Sequence, residues 1–354
     1  MLLLSAEIFG CKNENQQNVD KPQSIPSLPE PRNAQAITKP EGSRPALGWE
    51  TIASGKDGPG GRSRHCLAYD KKAQAAVLFG GMAGGTRRAM GLKSDTSQLR
   101  DRRWSEVQIA EPPPPIHHGA MTYCDNIEST ILFGGQGKRG QMFGVTWIYA
   151  SGSWQKRPDI AGPSTRCGHC MTFDSHTGNV ILFGGIDPRG NSLDDTWAFD
   201  GETWRFLRIP GPSPRRYCAF AFDSELGGCL LHGGSKDDNA QVSYGESWLL
   251  KDQKWTQLAP SMTTPVRDDH GMAYHQIARR MVLLDGFGSA RGMLVREGEQ
   301  WQKVDAEPMY KRHQCSPLVW DESLGGILLH GGEAHAFGSF LDATLLLRMP
   351  PASA

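Results

Sequence analysis

The chain has 354 residues, with 38 Lys plus Arg against 38 Asp plus Glu, 42 Gly, 23 Pro and 10 Trp. A formal charge of zero gives no electrostatic footprint for nucleic acid or for an anionic membrane surface. Eight Cys in a chain this long are too sparse for a disulfide-held miniature fold, and no apolar run reaches the length of a membrane-spanning helix.

The first element is "MLLLSAEIFGC", a short apolar stretch ending in a small residue and Cys11. It resembles the lipobox of bacterial lipoproteins, in which the Cys becomes the lipidated first residue, although Glu7 interrupts it and no basic residue precedes it. The following stretch to Pro45 is polar, contains several Pro and has little to bury, as suits a flexible tether. Residues 1–45 are therefore expected to hold an export signal ending at Cys11 and a disordered tether. The chain would then be extracytoplasmic and lipid-anchored. The competing expectation is a plain disordered tail on a cytoplasmic protein.

From residue 46 the chain repeats itself. Gly pairs follow short apolar runs at Leu78–Gly81, Leu132–Gly135, Leu182–Gly185, Leu231–Gly234 and Leu329–Gly332, with a degenerate copy at Leu283–Gly286. Successive pairs are 54, 50, 49, 52 and 46 residues apart. Nine residues before each Leu stands an aromatic, namely Tyr69, Tyr123, Phe173, Phe222, Tyr274 or Trp320, usually followed by Asp. A closing Trp ends most copies, at 104, 154, 204, 255 and 301. Each copy reads as four short strands rich in β-branched and aromatic residues and bounded by Gly, Pro and Asp. One such sheet cannot bury both of its faces, whereas six packed radially around an axis can. The sixth copy has no closing Trp strand, and "LGWETIA" around Trp49 has no copy of its own. The fold class predicted is all-β, a six-bladed propeller over 46–349 with a tail at 350–354, its last blade closed by the N-terminal strand at Trp49.

The Gly pair, the aromatic-Asp step and the closing Trp together resemble the kelch repeat family over nearly the whole chain beyond the tether. The resemblance implies a kelch β-propeller, with the fifth copy irregular because Asp285-Gly286 replaces the Gly pair. The family supports binding modules, scaffolds and a few enzymes, so the fold alone assigns no function.

In a propeller, the segment leading into each innermost strand and the loop after the second strand share one face, around the channel mouth. Eight residues before the Asp position stand Arg62, Arg166, Arg215 and Arg267, with Ile116 and His313 in copies two and six. Five before it stand His65, His169 and His270; copy two brings His117 and His118 nearby, and copy four Tyr217. These eleven side chains (the Arg, His and Tyr just named) are the ligand-binding candidates. Arg presents a planar fork suited to carboxylate or phosphate, and His adds donors or a titrating group. Loop residues Arg87, Arg88, Lys93, Lys138, Arg139, Arg189 and Arg291 add positive charge, offset by Asp187, Asp237, Asp238 and Glu333. Residues that recur in most copies are also what an inter-strand ion-pair framework needs. The copies that break the pattern, with Tyr217, His313 and His117/His118, are the stronger candidates.

The dithiol Cys167-Gly168-His169-Cys170 carries neither zinc nor redox chemistry on its face. Alternate residues of a strand point oppositely, no second CxxC exists, and the motif leads into a strand rather than a helix N-terminus. In register with the other copies, its cysteines fall at variable repeat positions and read as small strand residues. No nucleotide loop or nucleophile elbow is present, and no cofactor or metal is expected. The function expected is a noncatalytic propeller, monomeric, binding a protein or glycan, anionic by preference, through its loop face. The alternative is a sugar-active enzyme of the N-acetylneuraminate mutarotase (epimerase) type, with an acid and a base at the channel mouth.

Overall fold

The computed structural model describes residues 47–352 apart from 87–88, 238–241, 289–291, 307–311 and 335–337. Cys11 and the expected tether lie outside the described residues, as do Arg87, Arg88, Asp238 and Arg291 of the loops. No helix among the described residues is long and apolar enough to cross a membrane.

Six four-stranded antiparallel sheets form the blades. Blade 1 contains Cys66–Asp70, Ala75–Phe79, Thr96–Arg100 and Arg103–Val107; blade 2 contains Ala120–Cys124, Ser129–Phe133, Thr146–Ala150 and Ser153–Arg157. Blade 3 contains Cys170–Asp174, Asn179–Ile186, Ser192–Phe199 and Trp204–Leu207; blade 4 contains Ala219–Asp223, Gly228–His232, Ser247–Lys251 and Lys254–Gln257. Blade 5 contains Gly271–His275, Arg280–Leu284, Met293–Glu297 and Gln300–Val304. Blade 6 takes Leu318–Asp321, Gly326–His330 and Thr344–Arg348 from the C-terminal end and Gly48–Ala53 from the N-terminal end. The clasp runs antiparallel, with Gly48 opposite Arg348 and Trp49 opposite Leu347.

Three repeated devices hold the blades. The aromatic-Asp step ends the inner strand, where Asp174 and Asp223 accept backbone N–H groups two and three residues on and so fix the tight turn. The closing Trp reaches back to the preceding blade: Trp154 donates to the Thr96 hydroxyl at 2.9 Å, Trp204 to Thr146 at 3.0 Å, Trp255 to Thr196 at 3.0 Å and Trp104 to Thr344 at 2.8 Å. Trp49 occupies the same place in blade 6, but blade 5 offers Met293 where the others offer a hydroxyl, and the buried Trp49 Nε1 has no acceptor.

The Gly pair is the third device. Both residues are left-handed, as in Gly184 at φ +66° and Gly185 at φ +100°. A Cβ on Gly184 would lie 2.6 Å from the Arg215 carbonyl of the next blade, so only Gly lets the two backbones approach. The second Gly then donates to that carbonyl, in Gly185–Arg215 at 2.9 Å and, across the ring closure, in Gly332–Arg62 at 2.8 Å. In blade 5 Asp285 holds the left-handed conformation at φ +49°, and its carboxylate accepts the His313 N–H of blade 6 at 2.9 Å. The irregularity expected there alters the junction with blade 6, and the four-stranded sheet survives.

Candidate functional site

Each lead-in segment bridges to the loop after the second strand of its own blade: Ser63 to Met82, His117 to Gln136, Cys167 to Ile186, Arg216 to Ser235 and Gln314 to Glu333. In blade 5 the pair Arg267–Asp268 forms a short ribbon with Phe287–Gly288. These bridges put lead-in segments and loops on one face, at the mouth.

One residue per blade there is left-handed: Arg64, His118, Gly168, Tyr217, Asp269 and Cys315, with φ between 50° and 62°. Each of these residues donates its N–H to the carbonyl of the one before it, in a closed circuit. His118 donates to Arg64 at 3.0 Å, Gly168 to His118 at 2.9 Å, Tyr217 to Gly168 at 2.8 Å, Asp269 to Tyr217 at 2.9 Å, Cys315 to Asp269 at 2.9 Å and Arg64 to Cys315 at 2.8 Å. Six backbone bonds encircle the axis and satisfy groups that no strand could pair.

The side chains of this ring interlock over the mouth. A Cβ on Gly168 would sit 2.5 Å from the Tyr217 ring, so Tyr217 lies over the one position without a side chain. Its ring meets that of His118 with centroids 4.7 Å apart, and His118 in turn contacts His117 through Nδ1 atoms 2.8 Å apart. The Asp269 carboxylate stands 3.5 Å from His118 Nε2, 3.7 Å from Arg64 Nε and 3.5 Å from the Cys315 Sγ. Arg64 also pairs with Glu333, which accepts from the Ser63 hydroxyl. Burial pushes the Asp269 carboxyl up, but His118 and Arg64 outweigh it and hold the group below its usual range. For the adjacent Asp268, burial and then the Asp269 charge push the carboxyl up to about 6. A cavity of about 150 Å³ remains among these groups. Beyond it the channel widens to about 400 Å³ between the inner strands and the six aromatics of the aromatic-Asp step.

Of the sequence candidates, His65, His118, His169, Tyr217 and His270 line the small cavity. The imidazoles of His65, His169 and His270 are wedged between blades, against His330, Phe133 and His232 of the preceding ones. Burial is the main reason these three rings are held neutral, His169 down to about 3. Arg62, Arg166, Arg215 and Arg267 are at most 1% exposed and lie within the blades, away from the cavity. Arg166 spans Asp195 at 2.7 and 2.8 Å and the Gly184 carbonyl at 2.9 Å; Arg62 does the same with Asp95 and Gly80, and Arg215 with Glu246 and Gly233. Among the described residues the Arg267 guanidinium reaches only the Asp285 carbonyl, at 3.4 Å, and burial lowers it to about 10. His313 takes over the carbonyl contact in blade 6, its Nδ1 lying 2.6 Å from the Gly331 oxygen. Arg62, Arg166 and Arg215 are therefore an ion-pair framework, whereas Arg267 and His313 are buried against backbone carbonyls, and none of the five lines the cavity.

The residues that make the mouth chemically distinctive escaped the sequence reading as site candidates: Arg64, Arg216, Asp268, Asp269 and Cys315. They occupy the two positions between the recurring Arg and the recurring His, where no two blades agree. That disagreement is itself the available signal. Glu333, which the sequence offered only as a loop charge, joins them from the loop after the second strand of blade 6. Among the described residues no three His, Cys, Asp or Glu side chains converge as metal ligands.

The family model of the KLHDC2/KLHL20/DRC7 kelch-repeats domain matches residues 91–288. The chain belongs to the kelch-repeat family. The solved structure of YjhT superposes with a TM-score of 0.62 at 14% identity, covering 82% of this chain and 96% of that one. That likeness is one of fold. No curated protein matches the chain. As a kelch propeller it presents a fold used for binding, with the ring residues as the part that differs from blade to blade.

Proposed function

We propose that this kelch propeller is a noncatalytic binding module that takes a protein or glycan on its loop face. The supporting observation is the plugged mouth: a cavity of about 150 Å³ under an interlocked Tyr217–His118–Asp269–Arg64 lid falls below the roughly 300–1,000 Å³ of small-molecule sites. Recognition then passes to the surface outside the ring. There, Lys93, Lys138, Arg139 and Arg189 stand exposed on the loops of blades 1 to 3. Asp187, held ionised by the backbone N–H groups of Arg189 and Asn191, offsets part of this charge and leaves the four cations in excess. This basic crescent favours an anionic partner such as an acidic peptide or an acidic glycan. We further propose display outside the cytoplasm through Cys11, with the propeller acting as a monomer.

The experiment is a glycan and peptide array with the full chain, followed by titration of any hit at rising salt. A triple charge reversal at Lys138, Arg139 and Arg189 should weaken binding at least tenfold and flatten its salt dependence. Undiminished binding by that variant would remove the crescent from the reading.

The mutarotase-type alternative starts from the acidic pair at the mouth, where Asp269 lines the cavity beside His118 and burial pushes the neighbouring Asp268 carboxyl up to about 6. A carboxyl titrating there could exchange protons with a sugar hydroxyl near neutral pH. Faster anomer exchange of N-acetylneuraminate by NMR, lost in Asp268→Asn, would support it.

A further inference from the structure

The thiols of Cys170 and Cys218 face each other across the junction of blades 3 and 4 with Sγ atoms 3.2 Å apart. Cys170 opens the inner strand of blade 3, and Cys218 immediately precedes that of blade 4. The sequence neighbour of Cys170 in the CxxC motif, Cys167, is turned into a different contact, its backbone paired with Ile186. The motif thus delivers one cysteine to the next blade rather than two to each other. Cys218 also lines the mouth cavity, which gives one of the two sulfurs a route to the outside.

We propose that Cys170 and Cys218 are a disulfide-forming pair that staples blade 3 to blade 4 when an external disulfide oxidises the chain. Cys218 is the attacking thiol. Its thiolate displaces one thiolate from the external disulfide and leaves a mixed disulfide on Cys218. The Cys170 thiolate then attacks the Cys218 sulfur and expels the second external thiolate. The protons of Cys170 and Cys218 end on the two released thiols, so two protein thiols are oxidised as one external disulfide is reduced. The local chemistry supports this order. The hydrogen bond from Cys170 outweighs burial, and with Arg215 it holds the Cys218 thiol below its ordinary range, whereas burial raises that of Cys170. The bond would close a loop of 48 residues at the inner edge of the ring, where neighbouring blades are closest.

The test equilibrates the full chain in oxidised and reduced glutathione, once from the folded protein and once by refolding from denaturant in the same buffers. Each sample is then unfolded and alkylated, and its tryptic peptides are weighed. The expected result is six alkylated Cys of the eight at the oxidising end, with peptide 167–189 linked to peptide 217–236. The link should survive in Cys167→Ala and vanish in Cys170→Ala. The oxidised wild-type chain should melt several degrees above its reduced form, a difference that Cys170→Ala abolishes. Eight alkylated Cys from both starting states would overturn the proposal. A link within peptide 167–189, or one that persists in Cys170→Ala, would overturn it too. If Cys170→Ala fails to fold, Cys170→Ser and the fragment ions of the linked wild-type peptide give the same answer.

Discussion

The Arg64 amide donates to the Cys315 carbonyl at 2.8 Å, and that one bond joins the first blade to the last at the axis. Gly332–Arg62 and Trp104–Thr344 join the same two blades further out, and within blade 6 itself the two chain ends pair, Trp49 opposite Leu347. The ring is thus closed at both its inner and its outer radius.

The outer closure predicts a sharp boundary for truncation. Removing residues 1–40 leaves the strand Gly48–Ala53 in place and should leave the melting temperature unchanged. Removing residues 1–53 takes that strand away, exposes the edge of Thr344–Arg348 and uncovers Leu345 and Leu347. A loss of at least ten degrees is expected by calorimetry, and equal melting temperatures would refute closure by this strand.

The Trp latches predict an asymmetry between equivalent residues. Trp204→Phe breaks a bond to Thr146 and leaves a buried hydroxyl short of its donor. Trp49→Phe has no such bond to break, because Met293 stands where the hydroxyl would be. Trp204→Phe should therefore cost about 1 kcal/mol more than Trp49→Phe in urea unfolding.

The framework Arg residues should act on stability. Arg166→Ala strands Asp195, whose side chain keeps 22% of its exposure, so a loss of about 3 kcal/mol is expected, at the low end for a broken buried pair. Replacing both partners, Arg166→Met with Asp195→Asn, should restore part of it, because no charge is left unpaired. Blade 2 already lives without charge at both positions, with Ile116 and Val145 there. Chemical denaturation of the two variants measures the difference.

The wedged His residues should make the protein acid-sensitive. Their folded pKa values lie below the ordinary 6.5, His169 at about 3. A base depressed by folding contributes stability that is complete above 6.5 and is lost as pH falls toward the folded value, since the unfolded chain takes up the proton first. Each such residue gives a slope of up to about 1.4 kcal/mol per pH unit in that window. Melting temperatures measured from pH 7.5 to 4.5 should fall steadily, and His169→Phe should make the fall shallower.

The fold was legible because its devices repeat. The Gly pair, the Asp turn and the Trp latch are required by the same backbone contact in blade after blade, so the same residue types return at a fixed spacing. The Arg–acid pairs were also foreseeable, since Arg166 and Asp195 travel together while Ile116 and Val145 replace both. The mouth was legible only in part. Arg64, His118, Gly168, Tyr217, Asp269 and Cys315 share a backbone conformation and a hydrogen-bond circuit, but nothing about their side chains repeats. The meeting of Cys170 with Cys218 was hidden for a related reason. They occupy different positions in their repeats, one on the strand and one before it, and only the three-dimensional stagger of neighbouring blades brings them together.

The antiparallel clasp also fixes a direction. Inner strands run away from the mouth, so alternate strands return to it, and the third strand of blade 6 ends at Arg348 on the opposite side. Gly48, paired with Arg348, lies there too. The described chain therefore begins on the underside of the disc. The ring of Arg64, Tyr217 and Asp269 faces the other way, so the strand that closes the propeller and the mouth lie on opposite faces.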